Sequence, residues 1–490
     1  MVINSTLIIK NIIDNGFQLD PKALDLIKNF DNEDYINSII SKVISSKIKE
    51  KKERNITKKD LSVFLTQKKV KKNDNLLELK IDSRIEIVNN VGYNFESKEG
   101  IKGFQKLFES RYNKLLEITS LRPNFHNIRK ISSIKNDTKD KVKRVSGLVM
   151  EKKIGRKNVL IKIDDGTGTM DLLAFEKNII EELKKILLDS FIIIDFKFSN
   201  ISTAIIKAVT LPDIPEHKPT LSNKLVYAVF TSDLHVGSKH FLNNEFISFI
   251  NWLSNKEKDI DIIKRIKYLI IAGDSVDGIG VYPGQEYDLI DSNLKNQYKK
   301  LAKLLKMLPS SIEILIIPGN HDPVIQSLPQ PPVSKKYAND LYCMKNVTML
   351  GNPAYVRLHG VNVLIYHGRS LDDVIAKTPG LSYNRPSLAM KLLLRSRHLS
   401  PVYGERSSSS LPAESDELVI SNIPDIFHSG HMHVLDSEKY RGTLILNSGT
   451  WQSQTPFQAK MGIDPVTGII PVVNLSTLEV FTKDFKFKEE

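Results

Sequence analysis

At 490 residues the chain exceeds what one ordinary hydrophobic core supports, so two to four domains are expected. Hydrophobic residues at 41% and charged residues at 26% are globular values, and no apolar run reaches the roughly 20 residues that a membrane-spanning helix needs. The net charge of +13 favours polyanionic partners, although biased codon usage also produces a lysine-rich chain, and a single cysteine excludes an internal disulfide.

The opening MVINSTLIIKNIIDNG lacks the basic start, long apolar stretch and cleavage site of a secretory signal, which predicts a cytoplasmic location. Residues 1–70 are expected to form a small helical docking domain, with apolar residues at helical spacing over 5–15, 21–29, 33–50 and 58–67. Asp20-Pro21 supplies an N-cap and a first-turn proline, and Thr57 to Asp60 has the pattern of a capping box. Residues 71–140 read as a charged linker, bounded by KKVKKND and IKNDTKDKVKR and interrupted by one packing helix, GFQKLFESRYNKLLEI, at 103–118.

Over 141–215 the period changes to short strands: VSGLVMEKKI, NVLIKIDD, TMDLLAF, FIIIDFKF and STAIIKAV, with a helix at 177–188 after the third. This pattern predicts an OB-fold β-barrel whose second hairpin turns at Asp165-Gly166-Thr167-Gly168. Few exposed aromatics are available for base stacking, so a structural or subunit-contact role stands beside single-strand binding. A proline-containing connector, LPDIPEHKP, leads into residues 222–487, where strands alternate with helices. The tract RSSSSLPAESDE at 406–417 reads as a mobile surface loop, and Cys343 as a buried bystander thiol.

Five signatures occur in order in the last unit: SDLHVG at 232–237, AGDSVDG at 272–278, PGNHD at 318–322, YHGRS at 366–370 and SGHMH at 429–433. Each follows a strand-like segment, so their polar residues fall at strand C-terminal ends, where open α/β sheets bind ligands. Asp and Asn oxygens mixed with His nitrogens suit hard or borderline divalent cations: Mn²⁺ first, then Mg²⁺, Zn²⁺ or Fe²⁺. His217, His240, His359, His398 and His428 lie outside the signatures and read as ordinary structural histidines; Asp277 reads as a second-layer partner.

These motifs resemble the calcineurin-like metallophosphoesterase superfamily, with its D-x-H, G-D, G-N-H-D, H and G-H-x-H signatures all represented. The resemblance implies two divalent metal ions in an α/β sandwich: Asp233, His235 and His433 would hold the first, Asn320, His367 and His431 the second, with Asp274 bridging. It further implies that His321 faces the leaving-group oxygen and that Asp322 orients it. Gly273, Gly319 and Gly430 permit the tight loops at the strand ends.

The order of helical domain, linker, OB-fold and phosphoesterase is similar to the small-subunit family of archaeal family-D DNA polymerases. The strings DLHVGSKHF, GDSVDGIGVYPGQEYD and YHGRSLDD carry that likeness. The resemblance implies a multidomain α+β protein with metal-dependent 3′→5′ exonuclease activity on single-stranded or mismatched DNA ends. It also implies a large catalytic polymerase subunit as partner, on which DNA synthesis depends. Gln105, Phe108 and Tyr112 loosely resemble a peptide that binds a sliding clamp, though packing is the plainer role for their helix. Two other readings fit the same motifs: a stand-alone metallo-nuclease or phosphodiesterase, and a non-catalytic polymerase assembly subunit.

Overall fold

The structure, a computed structural model, describes residues 12–28, 40–41, 43–44, 47, 53–57, 60–61, 82–90, 100–123, 125–134, 141–199, 203–254, 259–404, 410–460 and 462–486. Most of the expected helices over 33–50 and 58–67, and the run KKVKKND, lie outside the described residues. The chain divides into Met1–Lys80 and Ile81–Glu490.

In the first unit the helix Pro21–Lys28 starts where the sequence marks it. The Asp20 carbonyl accepts from the amides of Ala23 and Leu24, and its carboxylate accepts from Lys22 N at 3.2 Å. At Thr57 the reciprocal box forms: Thr57 N donates to Asp60 Oδ2 at 2.8 Å, and Asp60 N donates to Thr57 Oγ1 at 3.3 Å. Ile12, Phe17, Ala23, Ile27, Ile40, Val43 and Ile56 form the core. The unit is not purely helical, because Gln18–Leu19 pairs in parallel with Asn55–Ile56.

The second unit begins with a strand, β1 (Ile85–Asn90), and a helix, α1 (Gly100–Ser120). α1 buries Gly103, Leu107, Arg111, Leu115 and Thr119, one residue per turn on a single stripe. Five strands follow: β2 (Lys143–Ile154), β3 (Val159–Asp164), β4 (Thr169–Ala174), β5 (Phe191–Phe198) and β6 (Ala204–Thr210), with helix α2 (Lys177–Lys185) after β4. They close in the order β2-β3-β4-β6-β5. Alternate residues such as Val159, Ile161 and Ile163 fill the interior, as the period of two requires. The stripe of α1 lies against this barrel, where Leu115 meets Leu148, Phe191 and Ile193. Phe108 and Tyr112 pack within the chain, against Tyr403 and Phe191 respectively.

The remaining elements are β7 (Tyr227–Thr231), α3 (Asn243–Ser254), β8 (Ile266–Ala272), α4 (Leu294–Leu305), β9 (Glu313–Ile317), α5 (Lys335–Tyr342), β10 (Val347–Met349), β11 (Ala354–Leu358), β12 (Val361–Tyr366), α6 (Leu371–Lys377), α7 (Pro386–Ser396), β13 (Ile426–Ser429), β14 (Asp436–Tyr440), β15 (Thr443–Asn447), β16 (Ile469–Asn474) and β17 (Glu479–Asp484). Among the described residues they form two six-stranded sheets, ordered β10-β9-β8-β7-β16-β17 and β14-β15-β13-β12-β11-β1. Ala228, Phe230, Ile270 and Leu315 of the first sheet meet Val356, Val363, Ile365 and Leu446 of the second in the central core. Phe246, Phe249, Leu301 and Leu305 of α3 and α4 cover the outer face of the first sheet, while Val374 and Leu393 of α6 and α7 cover that of the second. Every residue of β8 is therefore buried, the signature of a central parallel strand.

Three expectations need correction. The supposed linker contains β1, which completes the second sheet by antiparallel pairing with β11, Val356 facing Ile87. Ser410 to Glu417 is not a solvated loop: Asp416 is 1% exposed and takes the guanidinium of the equally buried Arg111 at 2.8 Å. His398 Nε2 lies 3.0 Å from the same carboxylate oxygen, and Arg111 Nη1 donates to Pro401 O at 2.7 Å. Residues 405–409 lie outside the described residues. Cys343 is exposed, because it caps the C-terminal end of α5 and does not sit on its buried face.

Candidate metal centre

The five signatures leave the ends of β7, β8, β9, β12 and β13. β7, β8 and β9 are mutually parallel neighbours, and β12 pairs in parallel with β13, so the ends of both groups open on one edge of the sandwich. Asp233, His235, Asp274, His431 and His433 all hold left-handed backbone conformations, with φ between 49° and 69°. Such conformations cost roughly 1–3 kcal/mol each for residues other than glycine, and their concentration here is the mark of a site held against local preference. Backbone bonds between the loops hold them: Asp233 N donates to Gly273 O, His235 N to Asp274 O, and Trp451 N to Asp233 O.

Two ligand clusters result. In the first, the ligand atoms of Asp233, His235 and His433 lie within 4.8 Å of one another. His235 Nε2 is 3.2 Å from His433 Nε2, and the buried Asp233 Oδ1 lies 3.4 Å from that same His433 nitrogen. Two facing ring nitrogens beside a buried carboxylate oxygen are the donor set a divalent cation satisfies. The second cluster brings Asp274, His367 and His431 within the same limit. His367 Nε2 lies 3.0 Å from Asn320 Oδ1 and 3.3 Å from Asp274 Oδ2, so Asn320 joins this group.

The ring nitrogens pointing away from these clusters are held. His367 Nδ1 meets Ala272 O at 2.9 Å and His235 Nδ1 meets Asp277 Oδ1 at 3.0 Å, which leaves each Nε2 free to act as a ligand. Gln458 reaches His433 Nδ1 at 2.9 Å. His321 Nδ1 lies 2.7 Å from Asp277 O, which aims its other nitrogen toward a cavity of about 260 Å³ that also meets His235, Asp274, Asn320, Asp372, Tyr383 and His431.

The expected His321–Asp322 pairing is not what forms. The Asp322 carboxylate accepts from Tyr298 OH at 2.5 Å, from Gly319 N at 2.8 Å and from Ser275 N at 3.3 Å. It ties two strand-end loops together from beneath, and the Asp277 carbonyl orients His321 in its place. Gly319 is needed here for close approach, because a Cβ there would lie 2.1 Å from Asp274 Oδ1.

Electrostatics follow from burial and neighbours. Burial pushes Asp274 up, but the charges of His367 and His321 outweigh it and hold this carboxyl well below its usual range. Asp233 is lowered to about 2, its burial outweighed by His433. His367 rises to about 9, since the charge and hydrogen bond of Asp274 overcome its burial. Burial lowers His321, only partly opposed by Asp274. Asp322 is raised to about 6 by burial and by the charge of Asp274.

Residues 228–434 match the family model for the B subunit of DNA polymerases alpha and epsilon. The DNA polymerase II small subunit of Archaeoglobus fulgidus is 35% identical over 96% of this chain and 96% of its own length. This chain belongs to the DNA polymerase II small-subunit family. The Thermoplasma acidophilum member is 34% identical over 99% of this chain and 93% of its own. The Pyrococcus furiosus small subunit is 40% identical over 79% of this chain, which spans 64% of that relative's length.

In this small-subunit homologue the motifs flagged the residues of the two clusters and Asp277 beside them, but not the glutamines that hold Asp277. Gln285, fully buried, donates to Asp277 O at 2.7 Å and to Asp277 Oδ2 at 3.1 Å, while its own carbonyl accepts from Val281 N. That glutamine carries no local signal, since its partner lies across a loop. A second buried amide, Gln452, donates to Asp277 Oδ1 at 3.0 Å.

Proposed function

We propose that this chain is the nuclease subunit of a two-subunit archaeal replicative polymerase, removing nucleotides from 3′ ends of single-stranded or mismatched DNA. The observation that carries the reading is the convergence of Asp233, His235, Asp274, Asn320, His367, His431 and His433 in two buried clusters. Asp233, His235 and His433 would hold one divalent cation, Asn320, His367 and His431 the other, and Asp274 would lie between them. Mn²⁺ is the first choice, with Mg²⁺, Zn²⁺ or Fe²⁺ as substitutes. Such a pair supplies Lewis-acid polarisation of the phosphodiester and activation of water.

The protein's own groups do the rest. His321, oriented through Nδ1, presents Nε2 to the cavity beside the departing oxygen, and because burial favours its neutral ring it acts there as general acid only in the fraction that is protonated. Asp277 keeps the tautomer of His235 and the aim of His321 in one side chain and its own carbonyl. Tyr282, its ring centroid 6.4 Å from that of His321, walls the cavity where a terminal nucleotide would lie. We read the five-stranded barrel as an OB-fold, and its packing with α1 suits subunit contact more than base stacking. DNA synthesis is assigned to a large catalytic subunit, with a sliding clamp as a further partner of the assembly.

The test is nucleotide release from a 3′-mismatched primer in Mn²⁺, with and without the large subunit, beside Asp274→Ala. Stepwise 3′ degradation that disappears in the variant is expected. No degradation by the complete two-subunit assembly would replace this reading with a structural subunit.

A further inference from the structure

His431 differs from the other ring ligands in which of its nitrogens is occupied. Its backbone is left-handed, with φ of 69°, and its amide donates to Asp233 Oδ2 at 2.9 Å, so its position is set by the first cluster while its ring faces the second. That ring lies edge-on to His367, with centroids 5.1 Å apart. His367 and His235 have Nδ1 tied and Nε2 turned inward. In His431 it is Nε2 that is tied, 2.8 Å from Asp372 Oδ2. The nitrogen left for the Asp274–His367–His431 cluster is therefore Nδ1.

Asp372 comes from outside the five strand-end motifs. It sits in the first turn of α6, and α6 is fixed by the burial of Leu371, Val374 and Ile375 against the second sheet and α7. The helix thus delivers a carboxylate to a fixed point 2.8 Å from the ring, and that carboxylate also lines the cavity above the metal-facing groups. The same device operates on His235, where Asp277 plays the equivalent part. A carboxylate that accepts one ring N–H fixes the tautomer, stiffens the ring and raises the basicity of the other nitrogen.

We propose that Asp372 is a positioning residue that holds His431 with Nδ1 as its ligand atom and so sets the affinity of the second cation site. This rests on the reading of the Asp274–His367–His431 cluster as a cation site. Among the described residues Asp372 hydrogen-bonds no member of that cluster but His431, and its charge is felt by His367 of the same cluster, so its loss weakens that site selectively.

The test is Mn²⁺ titration of the full-length chain by calorimetry, with electron paramagnetic resonance to count free ion, for wild type, Asp372→Ala and Asp372→Asn. Wild type is expected to bind two ions. Asp372→Ala should keep the tighter step and weaken the other about 10–100-fold, the usual loss when such a partner is removed. Asp372→Asn, whose amide oxygen still accepts the Nε2 proton, should recover most of that loss. Unchanged affinities in Asp372→Ala would overturn the proposal, as would equal weakening of both steps. Wild type that binds fewer than two ions would overturn the two-cation reading itself, a result distinct from either.

Discussion

His428 shows how one buried ring ties stability to pH. It lies in β13, fully buried, with Nε2 3.0 Å from Ser448 Oγ, Nδ1 unpartnered and its ring against Phe230. Burial drives it down to about 3, opposed only by the nearby charge of Asp233. A histidine kept neutral in the fold binds its proton only after unfolding, so its contribution is complete above about pH 6.5 and is lost as pH falls toward 3. The slope should be about 1.4 kcal/mol per pH unit in that window. Urea unfolding in the presence of chelator should show His428→Leu with a slope shallower by about one proton between pH 6 and 4. An unaltered slope would mean that the ring is already charged in the native state. The residues that converge at the strand ends were legible in five short strings, because each string is local to one strand end. Asp277 was legible as a second-layer partner, whereas the roles of Gln285 and Asp322 were not, since each is defined by a partner on another loop.

At the scale of elements, the strand-end loops work because they touch one another. Gly319 after β9 and Gly430 after β13 lie where a side chain would enter a carboxylate: an added Cβ would sit 2.1 Å from Asp274 Oδ1 in one case and 2.6 Å from Asp233 Oδ2 in the other. Gly319→Ala should leave the sandwich folded, because the loop is at its edge, while displacing the Asp274 carboxylate. A misplacement of about 1 Å at such a site costs about 10²-fold in rate. Comparing thermal unfolding with turnover for this variant separates the two effects, and loss of both together would count against a purely local cause. The barrel strands were readable from their period, as were the caps at Asp20 and Thr57, because all these signals act within a few residues. β1 was not, because six residues, IEIVNN, between charged stretches look like linker until β11 is placed beside them.

For the whole molecule, the Arg111–Asp416–His398 group joins three regions distant in sequence: α1, the segment after α7, and the tract before β13. Arg111 also donates to Asp189 O at 3.3 Å, just ahead of β5, so the barrel is drawn into the same contact. Arg111→Ala leaves the buried Asp416 carboxylate only the His398 ring and the Leu418 amide and should cost about 3–5 kcal/mol in denaturant unfolding, whereas Arg111→Met with Asp416→Leu should recover most of it. A single variant as stable as wild type would show that water reaches Asp416. The sequence concealed this because Asp416 stands in a Ser-rich tract whose composition signals solvent. The pairing of β1 with β11 has a further consequence, for the time course of synthesis. Glu86 and Arg357, bonded at 2.7 Å across that pair, are 271 positions apart. At about 5–20 residues per second the first strand leaves the ribosome roughly 15–50 s before its neighbour exists. The barrel can close in that interval, since its five strands are contiguous, but the two-sheet sandwich cannot be completed until the last third of the chain has emerged.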